Sequence, residues 1–391
     1  MSLKQHPVEV KRITPEGEPF YFGYYDRVPI NTDGRYHLAI HPPFADRPNA
    51  ADDVAEIGVI DLHNDNAWTP LDDETAWNWQ MGSNQQWLGT APNDTFIYNV
   101  RDGDRAHARI RHVTEGVVRD LPRPVFDVSE DGRYGVVANF ARIHTCRVGY
   151  GYPNVRDPWA DVFASEEDGL SLMDLETGET RPIVSLGACA NNDPDPTMAE
   201  GLNWFNHIMI SPDATRVAFL HRWQPVNEHW KTRFYCCRLD GSELTMLNPG
   251  PHISHCDWRD EETMLSYSTV GDGPQGYYVY DVINGTTELI GEDLFSSDGH
   301  CHYEPHPERR WFVTDTYPDS KDQKRALILY DTQTDTRYDL ERLYSDPRYE
   351  DDLRSDLHTR WDTTGTRLTL DSTHEGFRGI YVVDVGALVG R

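Results

Sequence analysis

The densest group of metal-ligating side chains in this 391-residue sequence lies at residues 297–313, which read SDGHCHYEPHPERRWFV. His300, Cys301, His302 and His306 fall within seven consecutive positions there. Imidazole and thiolate groups bind transition metals, and a neutral imidazole is also a suitable general base near pH 7. Three interpretations are therefore open: a compact metal site, part of a catalytic site, or polar residues beside a strand.

One of these histidines belongs to an internal repeat. Four segments align without gaps, each with a histidine first, a turn or acidic pair six and seven positions later, and an alternating apolar strand from about the tenth. They are HIMISPDATRVAFLH from His207, HCDWRDEETMLSYS from His255, HYEPHPERRWFVTD from His302 and HTRWDTTGTRLTLD from His358. Weaker copies begin near Tyr25, Gln86 and Pro124. The chain therefore contains seven related units.

Seven units of several short strands each are typical of the blades of a β-propeller. The predicted fold class is all-β, with a single propeller domain over residues 1–391. The last unit ends after three strands, so we expect the N-terminal segment VEVKRIT to complete it and close the ring. Separate sandwich domains would need a linker, and no low-complexity boundary is present. The approximate blades are 20–63, 78–115, 122–184, 204–248, 252–291, 298–341, and 354–388 together with 8–14.

The charge of the chain limits its partners. The formal net charge is −29, with 65 acidic residues against 36 Lys and Arg, which argues against nucleic acid or an anionic membrane as a partner. The N-terminus lacks the apolar core of a signal peptide, and no stretch approaches the roughly 18 apolar residues of a membrane span. We therefore expect a cytoplasmic protein and leave its oligomeric state open. An anionic substrate would require a local cationic pocket or a metal ion.

The repeated histidine indicates a site at the channel mouth. The first strand of each propeller blade lines the central channel, so equivalent positions place His207, His255, His302 and His358 around one side of its entrance. Histidine occupies 17 of 391 positions, so chance alone would put fewer than one among seven equivalent positions. Four consecutive occurrences favour a functional site over isolated histidines that satisfy hydrogen bonds.

At these residues the sequence resembles the oligogalacturonate lyase family, seven-bladed propellers of the WD40-like/TolB-like kind that cleave short acidic pectin fragments by β-elimination. The resemblance covers the blade pattern across most of the chain and is most specific from about residue 204 onward. It implies an acidic oligosaccharide as substrate. In catalysis it implies His255 of SHCDW as the base and Arg233 of RFYCCRLDG as the arginine that neutralises the substrate carboxylate.

The same resemblance implies a divalent metal, with Mn²⁺ first and Zn²⁺ or Ca²⁺ as alternatives. Its ligands would be His302 in CHYE and His358 with Asp356 in LRSDLHTRW. Asp356 stands where the family has a histidine, and the family's glutamine has no counterpart beyond Leu353. A ligand set shifted to His300, or loss of the metal, therefore remains an alternative.

β-Elimination removes the proton at C5 of a uronate and expels the oxygen at C4. A neutral imidazole is a suitable base, while an arginine and a metal spread the charge that develops on the carboxylate. A non-catalytic propeller that binds a saccharide or protein and a glycoside hydrolase are the competing functions. The candidates for substrate contact are His207, Arg222, Arg27 and His300.

Overall fold

The structure is a computed structural model that describes residues 1–305 and 307–391, and seven β-sheets form a ring in this part of the chain. His306 lies outside the described residues. The predicted all-β, seven-bladed propeller is confirmed.

Twenty-eight strands build the sheets in the described residues. The chain begins with β1 (Ser2–Gln5) and β2 (Lys11–Arg12). The first three sheets contain β3 (Tyr36–His41), β4 (Ala55–Asp61), β5 (Ala67–Glu74); β6 (Gln86–Trp87), β7 (Thr95–Asp102), β8 (Arg105–His112), β9 (Gly116–Leu121); and β10 (Asp127–Val128), β11 (Tyr134–Val137), β12 (Gly169–Asp174), β13 (Thr180–Ser185). The fourth and fifth contain β14 (Asn203–Ile210), β15 (Arg216–Trp223), β16 (Lys231–Arg238), β17 (Thr245–Asn248); and β18 (Ile253–Trp258), β19 (Thr263–Thr269), β20 (Gln275–Asp281), β21 (Thr287–Ile290). The sixth and seventh contain β22 (His302–Tyr303), β23 (Trp311–Asp315), β24 (Lys324–Asp331), β25 (Thr336–Tyr344); and β26 (Arg360–Trp361), β27 (Arg367–Ser372), β28 (Gly379–Asp384).

The helices are short and lie outside the sheets. They are α1 (Phe140–Cys146), α2 (Leu186–Asn192) and α3 (Gly386–Val389), with 3₁₀ turns at Pro196–Ala199 and Asp351–Leu353. In the described residues, no helix has both the length and the apolar character that a membrane crossing needs.

The N-terminal segment closes the ring. Strand β2 pairs antiparallel with β28, with Lys11 opposite Val382, and so supplies the fourth strand of the last blade. Strand β1 pairs parallel with β25 and adds a fifth strand to the sixth sheet. The predicted role of the N-terminal strand is confirmed, and the first twelve residues tie two neighbouring blades together.

The first two sheets extend further along the chain than the intervals 20–63 and 78–115, reaching Glu74 and Leu121. The reason is the composition of their outer strands. Strand β5 reads AWTPLDDE, and most of its residues are partly or fully exposed. An outer strand on the rim of a propeller needs no continuous apolar pattern, so its sequence resembles a loop.

The core lies between neighbouring sheets. All eight residues of β15 are buried, because a middle strand of a blade is covered on both faces by adjacent blades. Tryptophans that follow the repeated histidine connect the blades. The Trp258 indole donates to the Met209 carbonyl at 3.2 Å, and the Trp361 indole donates to the His302 carbonyl at 3.0 Å. These bonds hold the innermost strands in a common register around the channel.

Candidate active site and metal-binding group

Four imidazoles lie side by side at one end of the channel. Their ring centroids are 5.3 Å apart from His207 to His255, 4.0 Å from His255 to His300 and 4.4 Å from His300 to His358. Tyr24 of the first blade completes the arc, 5.5 Å from His207 and 5.0 Å from His358. Residues on consecutive blades therefore assemble one cluster, as the repeat predicted for His207, His255 and His358.

Irregular backbone directs these side chains into the channel. The pairing of β14 with β15 shifts register between Asn206 and Met209, at the position of His207. His207 and His358 have φ angles of 48° and 42°, in the left-handed region that a side chain other than glycine rarely adopts. Such strain costs about 1–3 kcal/mol per residue and persists where the surrounding structure enforces it, commonly at functional sites.

The prediction that His302 shares this register is wrong, and His300 occupies the equivalent position. Tyr303 pairs with Phe312, whereas Trp361 pairs with Leu368, so the first hairpin of the sixth blade is longer than that of the last blade. A gapless alignment on the second strand therefore shifts the first strand by two residues. Side chains two apart in a strand point the same way at different heights, so the error moved the histidine along the channel.

His300, Asp356 and His358 form the one group within the described residues whose donor atoms have metal-binding spacing. The Nε2 atoms of His300 and His358 each lie 3.8 Å from Asp356 Oδ2, and the three donors lie within 4.8 Å of one another. Ligand bonds of about 2.1 Å to a first-row metal place neighbouring donors roughly 3–4 Å apart. The spacing is therefore suitable for a divalent ion.

The hydrogen bonds of the two imidazoles support this assignment. The Nδ1–H of His300 donates to Asp315 Oδ1 at 2.8 Å, and the Nδ1–H of His358 donates to the Gly23 carbonyl at 2.8 Å. Each bond leaves the Nε2 lone pair free, and both Nε2 atoms are buried without a hydrogen-bond partner among the described residues. A second-sphere acceptor on Nδ1 with a free Nε2 is the usual arrangement of a metal-ligating histidine. These residues therefore fit the metal that the sequence implies.

Asp356 differs from an ordinary ligand because two arginines hold it. Arg354 Nε lies 2.6 Å from Oδ2, and Arg325 Nη1 lies 2.7 Å from Oδ1. Burial alone would raise the pKa of Asp356, but the two guanidinium groups outweigh it and hold the pKa well below its usual value. Asp356 is therefore ionised.

His255 has the environment of a general base. Its Nδ1 lies 3.3 Å from Asp298 Oδ1 and 3.0 Å from Ser254 Oγ, which favours a proton on Nδ1 and a free lone pair on Nε2. Burial lowers the pKa of His255, the neighbouring His300 lowers it further, and Asp298 opposes both. The imidazole is consequently neutral at pH 7 and able to accept a proton.

His207 lies at the end of the row of imidazoles, next to His255 and away from the metal-binding group. Its Nε2 is 3.2 Å from the Tyr24 hydroxyl, and burial with the nearby Arg222 lowers its pKa well below the usual value. It therefore contributes a neutral hydrogen-bonding group to the cavity.

A cavity of about 310 Å³ opens beside this cluster, and its charges favour an anion. Asp298 is the only carboxylate among its described lining residues, whereas Arg147 and Arg222 both line it. Arg222 is 7% exposed, no described carboxylate forms an ion pair with it, and its Nε lacks a hydrogen-bond partner. A buried cation without a counter-ion is costly, so this guanidinium is suited to bind an anionic ligand. The other lining residues are Tyr150, His207, His229, Trp230, Thr232, Pro251, His252, Ile253, Ser254, His255 and Tyr317.

Arg233, the predicted catalytic arginine, lies away from this cavity. Thr232 pairs with Arg222, and Arg233 pairs with His221, so Arg222 and Arg233 lie on opposite faces of the sheet. Arg233 forms an ion pair with Asp193 and is not among the described lining residues. Of these two arginines, Arg222 is the one that lines the cavity.

Arg27 and His302 also lie elsewhere, beside a separate cavity of about 330 Å³. Arg27 forms ion pairs there with Asp26 at 2.6 Å and Asp127 at 3.5 Å. The Nδ1 of His302 accepts a hydrogen bond from the Trp361 backbone N–H at 3.2 Å, which leaves the proton on Nε2. His302 is therefore not arranged as a metal ligand, and Arg27 is not placed to contact a substrate beside His255.

Several residues of the site were not predicted. Asp298 and Asp315 orient His255 and His300, and Arg354 with Arg325 neutralises Asp356. Asp298 stands two residues before His300, and Arg354 stands two residues before Asp356. This spacing was the one signal in the sequence that could have indicated their place in the site. The remaining two come from other strands, and no local pattern connects them with the histidines.

The fold and the site together define a seven-bladed β-propeller with a histidine-rich, cationic cavity at one end of its channel. No family model and no curated protein matches the chain. Among solved structures, it is similar to the oligogalacturonate lyase of Vibrio parahaemolyticus, with 15% identity, a TM-score of 0.66 and coverage of 97% of this chain and 94% of that one. It is also similar to an oligogalacturonate lyase in complex with manganese, with 16% identity, a TM-score of 0.67 and coverage of 100% of both chains.

A puromycin-hydrolyzing peptidase of Mycobacterium tuberculosis is also similar, with 14% identity, a TM-score of 0.52 and coverage of 97% of this chain and 55% of that chain. At such identities the similarity establishes the fold. The resemblance to oligogalacturonate lyases seen in the sequence is confirmed at this level, over the whole chain. Because peptidases share the fold, the reaction has to be argued from the site.

Proposed function

We propose that the protein is a lyase that cleaves uronate-containing acidic oligosaccharides by β-elimination. The observation that carries the proposal is the buried Arg222, which has no carboxylate partner among the described residues and lines one cavity with the neutral His255. Arg222 can bind an anion and His255 can accept a proton, and elimination from a uronate requires both. Its carboxylate must be held and neutralised, and the carbon beside it must lose a proton.

His255 would act as the base. Its Nε2 takes the proton from C5, the C–H electron pair becomes the C4–C5 double bond, and the bond from C4 to the leaving oxygen breaks. That oxygen leaves with a proton from solvent. Asp298 keeps the base in the required tautomer and stabilises the imidazolium that forms, as a carboxylate does in other His–Asp pairs.

Arg222 would hold the substrate carboxylate, because an arginine presents paired N–H donors that match two carboxylate oxygens. His300, Asp356 and His358 would hold a divalent metal, with Mn²⁺ as the first candidate. When bound, such an ion acts as a Lewis acid that spreads the charge developing on the carboxylate. His207 and Trp230 line the same cavity and would contact the sugar ring.

The test is an assay in which the protein is incubated with short oligogalacturonates and the ultraviolet absorbance of the unsaturated product is measured over time. With the wild-type protein we expect the absorbance to rise. With His255→Ala we expect the rate of this rise to be about 10²- to 10⁴-fold lower, the usual range for loss of a general base. A glycoside hydrolase would give new reducing ends without that absorbance. A saccharide-binding protein would give binding without either product. Either result, or normal activity of His255→Ala, would remove this proposal.

A further inference from the structure

The carboxylate of Asp356 is bonded to two arginines and lies beside the free Nε2 atoms of two imidazoles. We propose that Arg354 and Arg325 compete with the metal for Asp356, so that a divalent metal and a carboxylate ligand bind to the site cooperatively. Each would bind weakly without the other. The inference rests on the metal-binding role proposed for His300, Asp356 and His358.

One oxygen atom has both kinds of neighbour. Asp356 Oδ2 lies 2.6 Å from Arg354 Nε and 3.8 Å from the Nε2 atoms of His300 and His358. Arg354 Nε is also 2.9 Å from Oδ1 of the same carboxylate. A metal that uses this oxygen must therefore share it with a guanidinium or displace it. Because both partners are cations, sharing weakens each bond.

The charges of the group point the same way. Arg354 and Arg325 carry two positive charges, and Asp356 together with Asp315, which is bonded to His300, carries two negative charges, so these four groups balance before any metal is added. The ligand imidazoles carry no negative charge. A divalent ion therefore creates a positive excess in a buried environment where screening by salt is weak. An anion entering the cavity reduces this excess and so strengthens the retention of the metal.

Arg354 lies next to the cavity, although it is not among the described lining residues itself. Its Nη2 lies 3.5 Å from the Tyr150 hydroxyl, and its guanidinium lies 5.4 Å from the centre of the Tyr317 ring. Both tyrosines line the cavity that also contains Arg222. A carboxylate in the cavity can therefore replace Asp356 as the counter-ion of Arg354 when the metal occupies Asp356.

Calorimetric titration of Mn²⁺ into the wild-type protein tests this coupling directly. It is carried out without and with saturating D-galacturonate, a monosaccharide that has no glycosidic bond to eliminate. We expect the Kd for Mn²⁺ to be at least about tenfold lower with the sugar acid, within the usual range of coupling between two sites. By linkage, Mn²⁺ should tighten galacturonate binding by the same factor. Equal Kd values with and without galacturonate would overturn the inference without any variant.

Arg354→Gln identifies the competitor. We expect this variant to bind Mn²⁺ more tightly than wild type without galacturonate, and to depend less on the sugar acid. Arg147→Gln is the matched control: it removes an arginine that lines the cavity and, like Arg354, lies beside Tyr150, but that forms no described bond to Asp356. Its Kd for Mn²⁺ without galacturonate should remain closer to that of wild type. Equal or weaker Mn²⁺ binding by Arg354→Gln would contradict the competition.

Thermal unfolding of both variants shows whether they are folded, and the wild-type titration decides the question if Arg354→Gln is not. A wild-type protein that eliminates uronates and binds Mn²⁺ independently of galacturonate would overturn this inference and leave the proposed function intact. Absence of Mn²⁺ binding by every protein would overturn the inference together with the metal group, while the lyase assay would still judge the reaction.

Discussion

Two buried neutral histidines, His37 and His221, should each contribute less to the stability of the folded protein in mild acid than at neutral pH. Burial, followed by the charge of Arg233, lowers the pKa of His221 to about 3, and burial followed by Arg360 lowers the pKa of His37 to about 3. In the unfolded chain both values return to about 6.5. Between these limits the unfolded chain binds more protons, so the stabilisation is fully present above about pH 6.5 and is lost as the pH falls.

The size of the effect follows from the two pKa values. At about pH 5.5 each unfolded imidazole is mostly protonated and each folded one is neutral, which costs about 1.4 kcal/mol per histidine or roughly 3 kcal/mol for both. Typical domains have only about 5–15 kcal/mol of stability. Urea unfolding monitored by tryptophan fluorescence, at about pH 7.5 and about pH 5.5, measures the net change in stability. Glu74 and Asp257 contribute to it with the opposite sign, because burial raises the pKa of each to about 7.

His221→Gln isolates one contribution. His221 Nε2 lies 3.0 Å from Asn203 Oδ1, and the glutamine amide retains a donor for that oxygen. Whatever its absolute stability, the variant should lose about 1.4 kcal/mol less than wild type between the two pH values. The same change at the exposed His6 is the control and should not alter the loss. An equal loss for His221→Gln and wild type would refute the reasoning.

Three further predictions concern the site. His300→Ala should lose bound metal in elemental analysis while His302→Ala keeps it, because His300 belongs to the group beside Asp356 and His302 does not. The reverse result would restore the register inferred from the gapless repeat. Arg222→Gln should lower kcat/KM for uronate oligosaccharides by about 10²-fold or more, as loss of a charge-stabilising donor does. Arg233→Gln, on the other face of the sheet, should retain activity, and equal effects of the two changes would contradict the assignment. Asp298→Asn should lower kcat by about 10- to 10⁴-fold with little change in KM, as loss of an orienting carboxylate does, and an unchanged kcat would exclude that role.

The position of the cavity explains how a strongly acidic chain can take an acidic ligand. The formal net charge of −29 repels anions at long range, but salt screens charges beyond roughly 10 Å. Within the cavity the nearby charges dominate, and there Arg147 and Arg222 face one described carboxylate, Asp298. The excess acid therefore lies mainly elsewhere and need not oppose binding inside the channel.

Part of the site followed from the repeat and part did not. His207, His255 and His358 were correctly brought together, because each stands at the same distance from a regular hairpin. His302 was not, because the hairpin of its blade is longer and the alignment had no means to place the extra residues. The arginine was misplaced for a different reason: Arg222 and Arg233 lie on adjacent antiparallel strands, and the resemblance did not show which face of the sheet borders the cavity.

The sequence by itself determined the architecture. Seven short-strand units, a last unit with one strand missing and an N-terminal strand without neighbours leave a closed propeller as the consistent solution, since local patterns and ring closure agree. Tertiary structure alone decided the arrangement of the candidate site. Within the described residues, the Nε2 atoms of His300 and His358 have no hydrogen-bond partner, Arg325 reaches Asp356 from the neighbouring blade, and Arg222 has no carboxylate partner. These features depend on distances between parts of the chain that are far apart in sequence. Hydrogen bonds and charge interactions act over a few ångströms in space, and that proximity is not written in the spacing of residues along one strand.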